Sequence, residues 1–443
     1  MLRLHDICRH LQFADNDDND TNHDHHHNAF VFEQLDLCGQ NIGLNGAMAL
    51  SSALKTNRSL RVLNLSYNLI PPRGAVALVR SIPGSVQILD LRDNGVGNDG
   101  AQAIGELLTV SPHCTTLTTV MLRNNGIGAT GAMHLATALS IHDQVGHPSS
   151  GASRLQKLDL SRNLIGNHGA QAVAAMLKTN DCLEWLSIWN NGIDGEGMGF
   201  VADALRVNTS LKVLVAGGNY VSDDGAAALA DALMNNQLQQ HHHHRRRRRH
   251  YQDHHYQHQQ DQEADHCSSL EVLNLGSSQV GTAGALSLAR MLRSNKTLQC
   301  LDLFQNPIGN AGAHGLYEAL QTDNSTLYSL HIDYQRCQDE TTVVTMTTDG
   351  PVSEVDTPEK SRTTVDDKKK RHDGWINEAI LAYLALNRAG RARMNDVSMP
   401  WELWPTVLEK FRTKPQLCYL ALREKPELLQ GVSGADEEMQ DIV

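Results

Sequence analysis

Ten apolar positions mark out a repeated unit along this chain. They are Leu35, Leu63, Leu89, Val120, Leu158, Leu186, Leu214, Leu273, Leu301 and Leu330, and the steps ending at Leu63, Leu186, Leu214 and Leu301 are each 28 residues. A fixed period of this length means that one supersecondary unit is copied and stacked. The clearest copy runs from Leu155 to Leu183. Leu155, Leu158 and Leu160 are apolar, with polar residues between and after the last two, as in a short strand with one buried face. Asn163 ends the strand and Ile165 turns inward. After Gly169 the period becomes helical, with Ala170, Val173, Ala174 and Leu177 on one face. A strand, a turn and a helix cannot bury their own apolar face. Each unit needs a neighbour on either side.

The position five residues beyond each marker is equally regular. It holds Gln40, Asn68, Asn94, Asn125, Asn163, Asn191, Asn219, Ser278, Asn306 and Gln335. An asparagine buried there can bond the backbone of adjacent turns and form a ladder. The glutamines fall in the terminal copies, where weaker grammar is expected, and Ser278 is an internal departure that predicts a looser joint. The sequons at Asn57, Asn208, Asn295 and Asn324 also recur at one phase of the unit. They read as repeat grammar and not as glycosylation sites.

The strand template LxxLxLxxNxI, the glycine six residues after the asparagine and the alanine-rich helix resemble ribonuclease-inhibitor-like leucine-rich repeats. Leu183 to Leu211 and Leu298 to Leu327 carry the pattern too. Proteins with such repeats include ribonuclease inhibitor, NOD-like receptors, tropomodulin-like caps and the Ran GTPase-activating protein. The resemblance implies an α/β fold, a right-handed solenoid with strands on a concave face and helices outside. It implies recognition of a protein. The nucleotide-binding domain of NOD-like receptors has no counterpart here, since no GxxxxGK[ST] occurs, and the long acidic tail of the Ran activator is also missing.

The repeats are expected over 31–337, interrupted by insertions at about 141–153 and 237–267. Both insertions follow a helix and precede a strand, so both leave the same rim. Residues 1–30 are acidic and His-rich and read as disordered, and 338–373 read as a disordered linker. A small helical C-terminal element is expected over 374–430, followed by an acidic tail over 431–443.

Most catalytic and cofactor classes lose support on inspection. GxGxxG occurs at Gly95–Gly100 and again at Gly126–Gly131, each between a strand and a helix, the context of a dinucleotide site. The same glycines recur in weaker form at the same phase elsewhere, as at Gly166 and Gly169, so they read as turn and packing residues. No HExxH, GxSxG or carboxylate pair with a base appears, and no enzyme activity or cofactor is expected. His241–His244, His254, His255 and His258 offer many imidazoles without fixed spacing. They read as a solvated low-complexity loop and not as a metal site. The eight cysteines form no CxxC pair, and Met1 to Asp20 lacks the apolar core of a signal peptide. A cytoplasmic location is expected, with Arg245–Arg249 and Lys368–Arg371 as candidate nuclear import signals.

The candidate site follows from the period of the strand. Residues flanking each buried leucine point away from the core and line the concave face. Trp185 and Trp189 both fall on such positions of one repeat. Arg92 and Arg123 are equivalent residues of adjacent strands, and Arg162 sits one place further on in the next. Trp and Arg dominate interface energies. Arg92, Arg123, Lys157, Asp159, Arg162, Trp185, Trp189 and Phe304 are therefore the expected partner-binding residues. Asp90 and Asp159 could instead neutralise the basic stripe within the sheet. The net charge of −12 disfavours nucleic acid and membrane surfaces as general partners. The sequence thus points to a monomeric, non-catalytic scaffold for a protein partner, acidic where it meets the basic stripe. The alternative is a regulator of an enzyme partner, either a ribonuclease-inhibitor-type blocker or a small-GTPase activator.

Overall fold

The structure, a computed structural model, describes residues 33–110, 116–140, 154–234 and 269–332. Ten short strands form one sheet in which each pairs only with its sequence neighbours, in the order β1 to β10. They are β1 Gln34–Asp36, β2 Val62–Asn64, β3 Ile88–Asp90, β4 Thr119–Met121, β5 Lys157–Asp159, β6 Trp185–Ser187, β7 Val213–Val215, β8 Val272–Asn274, β9 Cys300–Leu303 and β10 Ser329–Ile332. All pairings are parallel, and all ten marker residues lie opposite one another. The sheet is thus in the register that the repeat demands. A slip of one residue would turn every leucine outward.

Helices alternate with the strands. That over Gly166–Leu177 buries Gly169, Ala170, Val173, Ala174, Met176 and Leu177. These residues join Leu158, Leu160 and Ile165 in one continuous core. The helices cover one face of the sheet, as expected of a unit that must bury strand and helix against its neighbours. The glycines of the false nucleotide motif serve this packing. Gly97 has φ +61°, and a side chain on Gly100 would strike Val96 Cγ1 at 2.4 Å and Ala75 Cβ at 3.1 Å.

Two ladders of asparagine stitch the units together. In the first, Asn163 Oδ1 accepts from the N–H groups of Asn125 and Ile127, both at 3.0 Å. Its Nδ2 donates to the carbonyls of Leu122, Leu160 and Ser161. Asn68, Asn219 and Asn306 accept from the same two backbone positions of the preceding unit, and Asn191 accepts from the second of them, the Ile165 N–H. Ser278 is fully buried but too short for this work; its Oγ reaches only the Gly276 carbonyl of its own turn, at 3.3 Å. Replacing Ser278 with Asn is expected to supply the two acceptor bonds that Asn163 makes. Equilibrium denaturation would then show about 1 kcal/mol of added stability.

The second ladder runs along the opposite rim. Asn208 Oδ1 accepts from Ser210 and Leu211, while Nδ2 donates to the carbonyls of Leu177 and Asn180. Asn57, Asn180, Asn295 and Asn324 occupy the same phase, and all are buried. The sequon amides are thus consumed inside the fold. Asn180 carries no sequon and was not among the asparagines expected there.

The terminal segments, the linker, the helical C-terminal element and both long insertions lie outside the described residues, as do the His tracts and the two basic runs. No helix among the described residues is long and apolar enough to cross a membrane.

Candidate functional site: the open face of the sheet

The face of the sheet turned away from the helices carries most of the residues singled out in the sequence. Its geometry follows from the register. Lys157 of β5 lies directly opposite Trp185 of β6, and its Nζ stands 4.4 Å from the indole centroid. Arg162 follows the strand at φ +54° and donates its backbone N–H to the Trp189 carbonyl at 2.7 Å. Its guanidinium carbon sits 5.2 Å from the Trp189 ring. Both tryptophans are half-buried, while Arg162 is exposed. Two cation–π stacks therefore mark the two ends of β6, each worth about 0.5–1 kcal/mol at such exposure. Trp189 also lies over Gly218, where a side chain would meet the indole at 2.9 Å. The missing side chain leaves the ring its place.

The two arginines of the stripe are not equivalent in their surroundings. Arg92 is held by Asp90 of its own strand, with Nη2 to Oδ2 at 2.6 Å and Nε to Oδ1 at 3.0 Å. The Asp90 hydrogen bond raises the Arg92 guanidinium above its ordinary range, against the opposing pull of burial; the charges of Asp90 and Asp159 add to the rise. Arg123 has no carboxylate at ion-pair distance among the described residues, and its Nε has no hydrogen-bond partner there. The alternative that acidic residues neutralise the stripe within the sheet thus holds for Arg92, but Arg123 forms no such ion pair.

Three expectations need correction. Asp159 is only 6% exposed and does not present a carboxylate to a partner. It accepts from the Ser161 N–H at 2.9 Å and from the Ser161 hydroxyl. Ser66, Asp90, Ser161 and Ser187, read as lining residues from the period of two, are buried as well. The side chains at this strand position also share a local cap. Asp36, Asn64, Asp90, Asp159, Asn274 and Asp302 each fold back onto the N–H two residues on. The preference for Asx just after the marker was the signal for it, since Asx side chains bond their own backbone in this way. Lastly, Phe304 is 49% exposed but directly follows β9, three strands from β6. It does not join the cluster.

Arg92, Arg123, Lys157, Arg162, Trp185 and Trp189 therefore stand together over β3 to β6. The sequence pattern missed the exposed side chains of the turns that follow the strands. Leu69 is 73% exposed, Leu164 75%, and Tyr220 57%. No group of three or more His, Cys, Asp or Glu among the described residues could hold a metal ion.

Comparison with known proteins bears on the repeat. Residues 56–79, 85–105, 113–136, 153–174, 266–289 and 294–316 match the family model described as Leucine Rich repeat. Among solved structures, the chain is similar to one titled Leiomodin-1 Actin-Binding Site 2, at 20% identity and a TM-score of 0.25; the match covers 33% of this chain and 69% of that one. It is also similar to the tropomodulin C-terminal domain of Caenorhabditis elegans, at 12% identity and a TM-score of 0.22, covering 39% and 72%. Structural likenesses this weak carry no argument about what is bound, and the ribonuclease-inhibitor-like subtype rests on its motif alone. Matched repeats, sequential parallel strands and alternating helices make this chain an α/β solenoid built of leucine-rich repeats.

Proposed function

We propose that the chain is a non-catalytic scaffold that holds a protein partner on the open face of its sheet, over β3 to β6. The observation that carries this reading is the pair of cation–π stacks. Two indoles and two cations are held in fixed positions on a surface that no described element covers. Half-buried aromatic rings with charged rims are what interface anchors are made of. Arg123 adds a cation without a carboxylate at ion-pair distance among the described residues, which suits an acidic partner. Enzyme regulation is one form that such binding takes.

The test is the double variant Trp185→Ala with Trp189→Ala. Quantitative affinity capture with the full chain is expected to lose the partner by tenfold or more, about 1.4 kcal/mol or above. Because both rings are half-buried, the variant also loses about 1–2 kcal/mol of cation–π contact, a small shift in melting temperature. Phenylalanine at both positions retains a ring for each cation and separates the two effects. Capture that is unchanged in the alanine variant would remove this reading.

A further inference from the structure

Both asparagine ladders falter at one joint, between the units of β7 and β8. From Ile42 to Ile193, and again at Val280, the N–H two residues beyond each ladder position donates to an asparagine of the next unit. Val221 is the same position in the unit of β7, and Ser278 stands where its asparagine would be. Val221 is 0% exposed, and its N–H has no acceptor among the described residues. A buried donor without an acceptor weakens the contact that would have supplied one.

The second ladder is stretched at the same joint. Asn180, Asn208 and Asn324 donate to the preceding unit, reaching the carbonyls of Leu139, Leu177 and Leu292 at 3.0, 2.7 and 2.8 Å. Asn295 reaches the Leu233 carbonyl only at 3.4 Å. One rim thus lacks its rung, and the opposite rim has a long one. Beyond the joint both ladders resume. Asn306 accepts from Ser278 and Val280 and donates to the Leu275 carbonyl at 2.8 Å, and Arg293 pairs with Glu318 at 3.2 Å.

Strand pairing crosses the joint intact: Val213, Leu214 and Val215 lie opposite Val272, Leu273 and Asn274. A charged side chain crosses it too. Asp223 Oδ1 accepts from the N–H groups of Gly281 and Gly284 at 2.7 and 2.8 Å. It caps the helix over Thr282–Ser294 from the preceding unit, a cap that Gly281 cannot supply itself. Gly284 leaves the carboxylate its place, since a Cβ there would lie 2.7 Å from the same oxygen. Between the units of β3 and β4 a neutral amide does this work, with Asn98 Oδ1 accepting from Gly128 and Gly131 at 2.8 and 3.1 Å. A carboxylate is the stronger acceptor and suits the positive end of a helix. The charged cap therefore stands where the ladders are weakest.

In a linear array, stability is a sum of units and interfaces, and cooperative opening breaks at the weakest interface. We infer that the units of β8 to β10 form a separate cooperative block, latched to the first seven units by Asp223, and that the solenoid opens first at this joint. The partner face proposed over β3 to β6 lies wholly in the first block. The inference therefore stands or falls apart from the partner reading.

Native-state hydrogen exchange of the full chain tests it. The slowest amides of the helices over Thr282–Ser294 and Gly309–Thr322 are expected to share one protection factor. That factor is at least about tenfold below the one for the helix over Gly195–Leu205. Simple fraying from the end would instead protect the first of the two helices better than the second. Asp223→Ala is expected to lower protection in both by about tenfold and to leave the Gly195–Leu205 helix unchanged. Asp223→Asn keeps the acceptor oxygen and stays within about threefold of the parent. The inference is overturned if no step separates the two blocks, or if protection falls gradually from one of the last helices to the next. It is also overturned if Asp223→Ala exchanges like the parent or speeds exchange equally in all helices. Equal loss in Asp223→Asn and Asp223→Ala would remove Asp223 as the latch.

Discussion

Replacing Leu158 with aspartate abolishes folding of the central repeats. Leu158 is 1% exposed and is registered between Val120 and Leu186 in the middle of the sheet. Truncating a buried leucine to alanine costs about 2–5 kcal/mol. Aspartate adds a carboxylate with no partner, which must stay protonated or draw water into the core, at several kcal/mol more. The sum approaches the whole stability of a typical domain, about 5–15 kcal/mol. In a linear array the damage also has a place. Each unit is stabilised by its two neighbours, so a broken fifth unit leaves the flanks with one good interface each. Circular dichroism is expected to show a large loss of helix, and hydrogen exchange is expected to show the loss centred on residues 129–205. Leu158→Met, nearly equal in volume, costs under about 1.5 kcal/mol and folds. An aspartate variant with the parent's melting curve would mean that the repeat register is wrong.

The register itself was fully legible in the sequence, and the reason is physical. One template of strand, asparagine and helix constrains every copy at once, so an error in one strand would be visible against nine others. All ten markers expected from Leu35 to Leu330 pair in the structure. The candidate site was legible only in part. The period of two says which way a Cα–Cβ bond points; it does not say whether the side chain then stays in solvent. Asp159 points outward and still ends 6% exposed, with its carboxylate turned onto the N–H of Ser161. Lys157 with Trp185 could be read as cross-strand neighbours, but the stack at 4.4 Å is a matter of rotamers. The exposed side chains of the turns escaped notice for another reason. The template turns Ile70 and Ile165 inward but leaves the residue before each of them unspecified, so nothing repeated marked Leu69 and Leu164 as exposed.

The asparagine ladder gives the second large effect, through polar groups and not through apolar area. Asn163→Leu keeps the volume of the site and removes all five side-chain hydrogen bonds. Two backbone donors, on Asn125 and Ile127, lose the acceptor that both reach at 3.0 Å. The carbonyls of Leu122, Leu160 and Ser161 lose a donor. The site is 4% exposed, so water cannot replace these bonds without opening the turn. Each orphaned buried group costs about 1–3 kcal/mol, more for the N–H groups than for carbonyls that keep a second lone pair in use. A loss of about 3–5 kcal/mol is expected, set against the gain of burying a leucine. The unit that suffers is the preceding one as much as its own, since both lost acceptor bonds cross from one repeat to the other. Hydrogen exchange at the amides of Asn125 and Ile127 reads this directly. They are expected to exchange much faster in Asn163→Leu, while the amides of Asn68 and Ile70, bonded to Asn94 at 3.1 and 3.0 Å, keep their protection. Uniform loss of protection along the chain would mean that the array unfolds as one unit and that the ladder has no local strength.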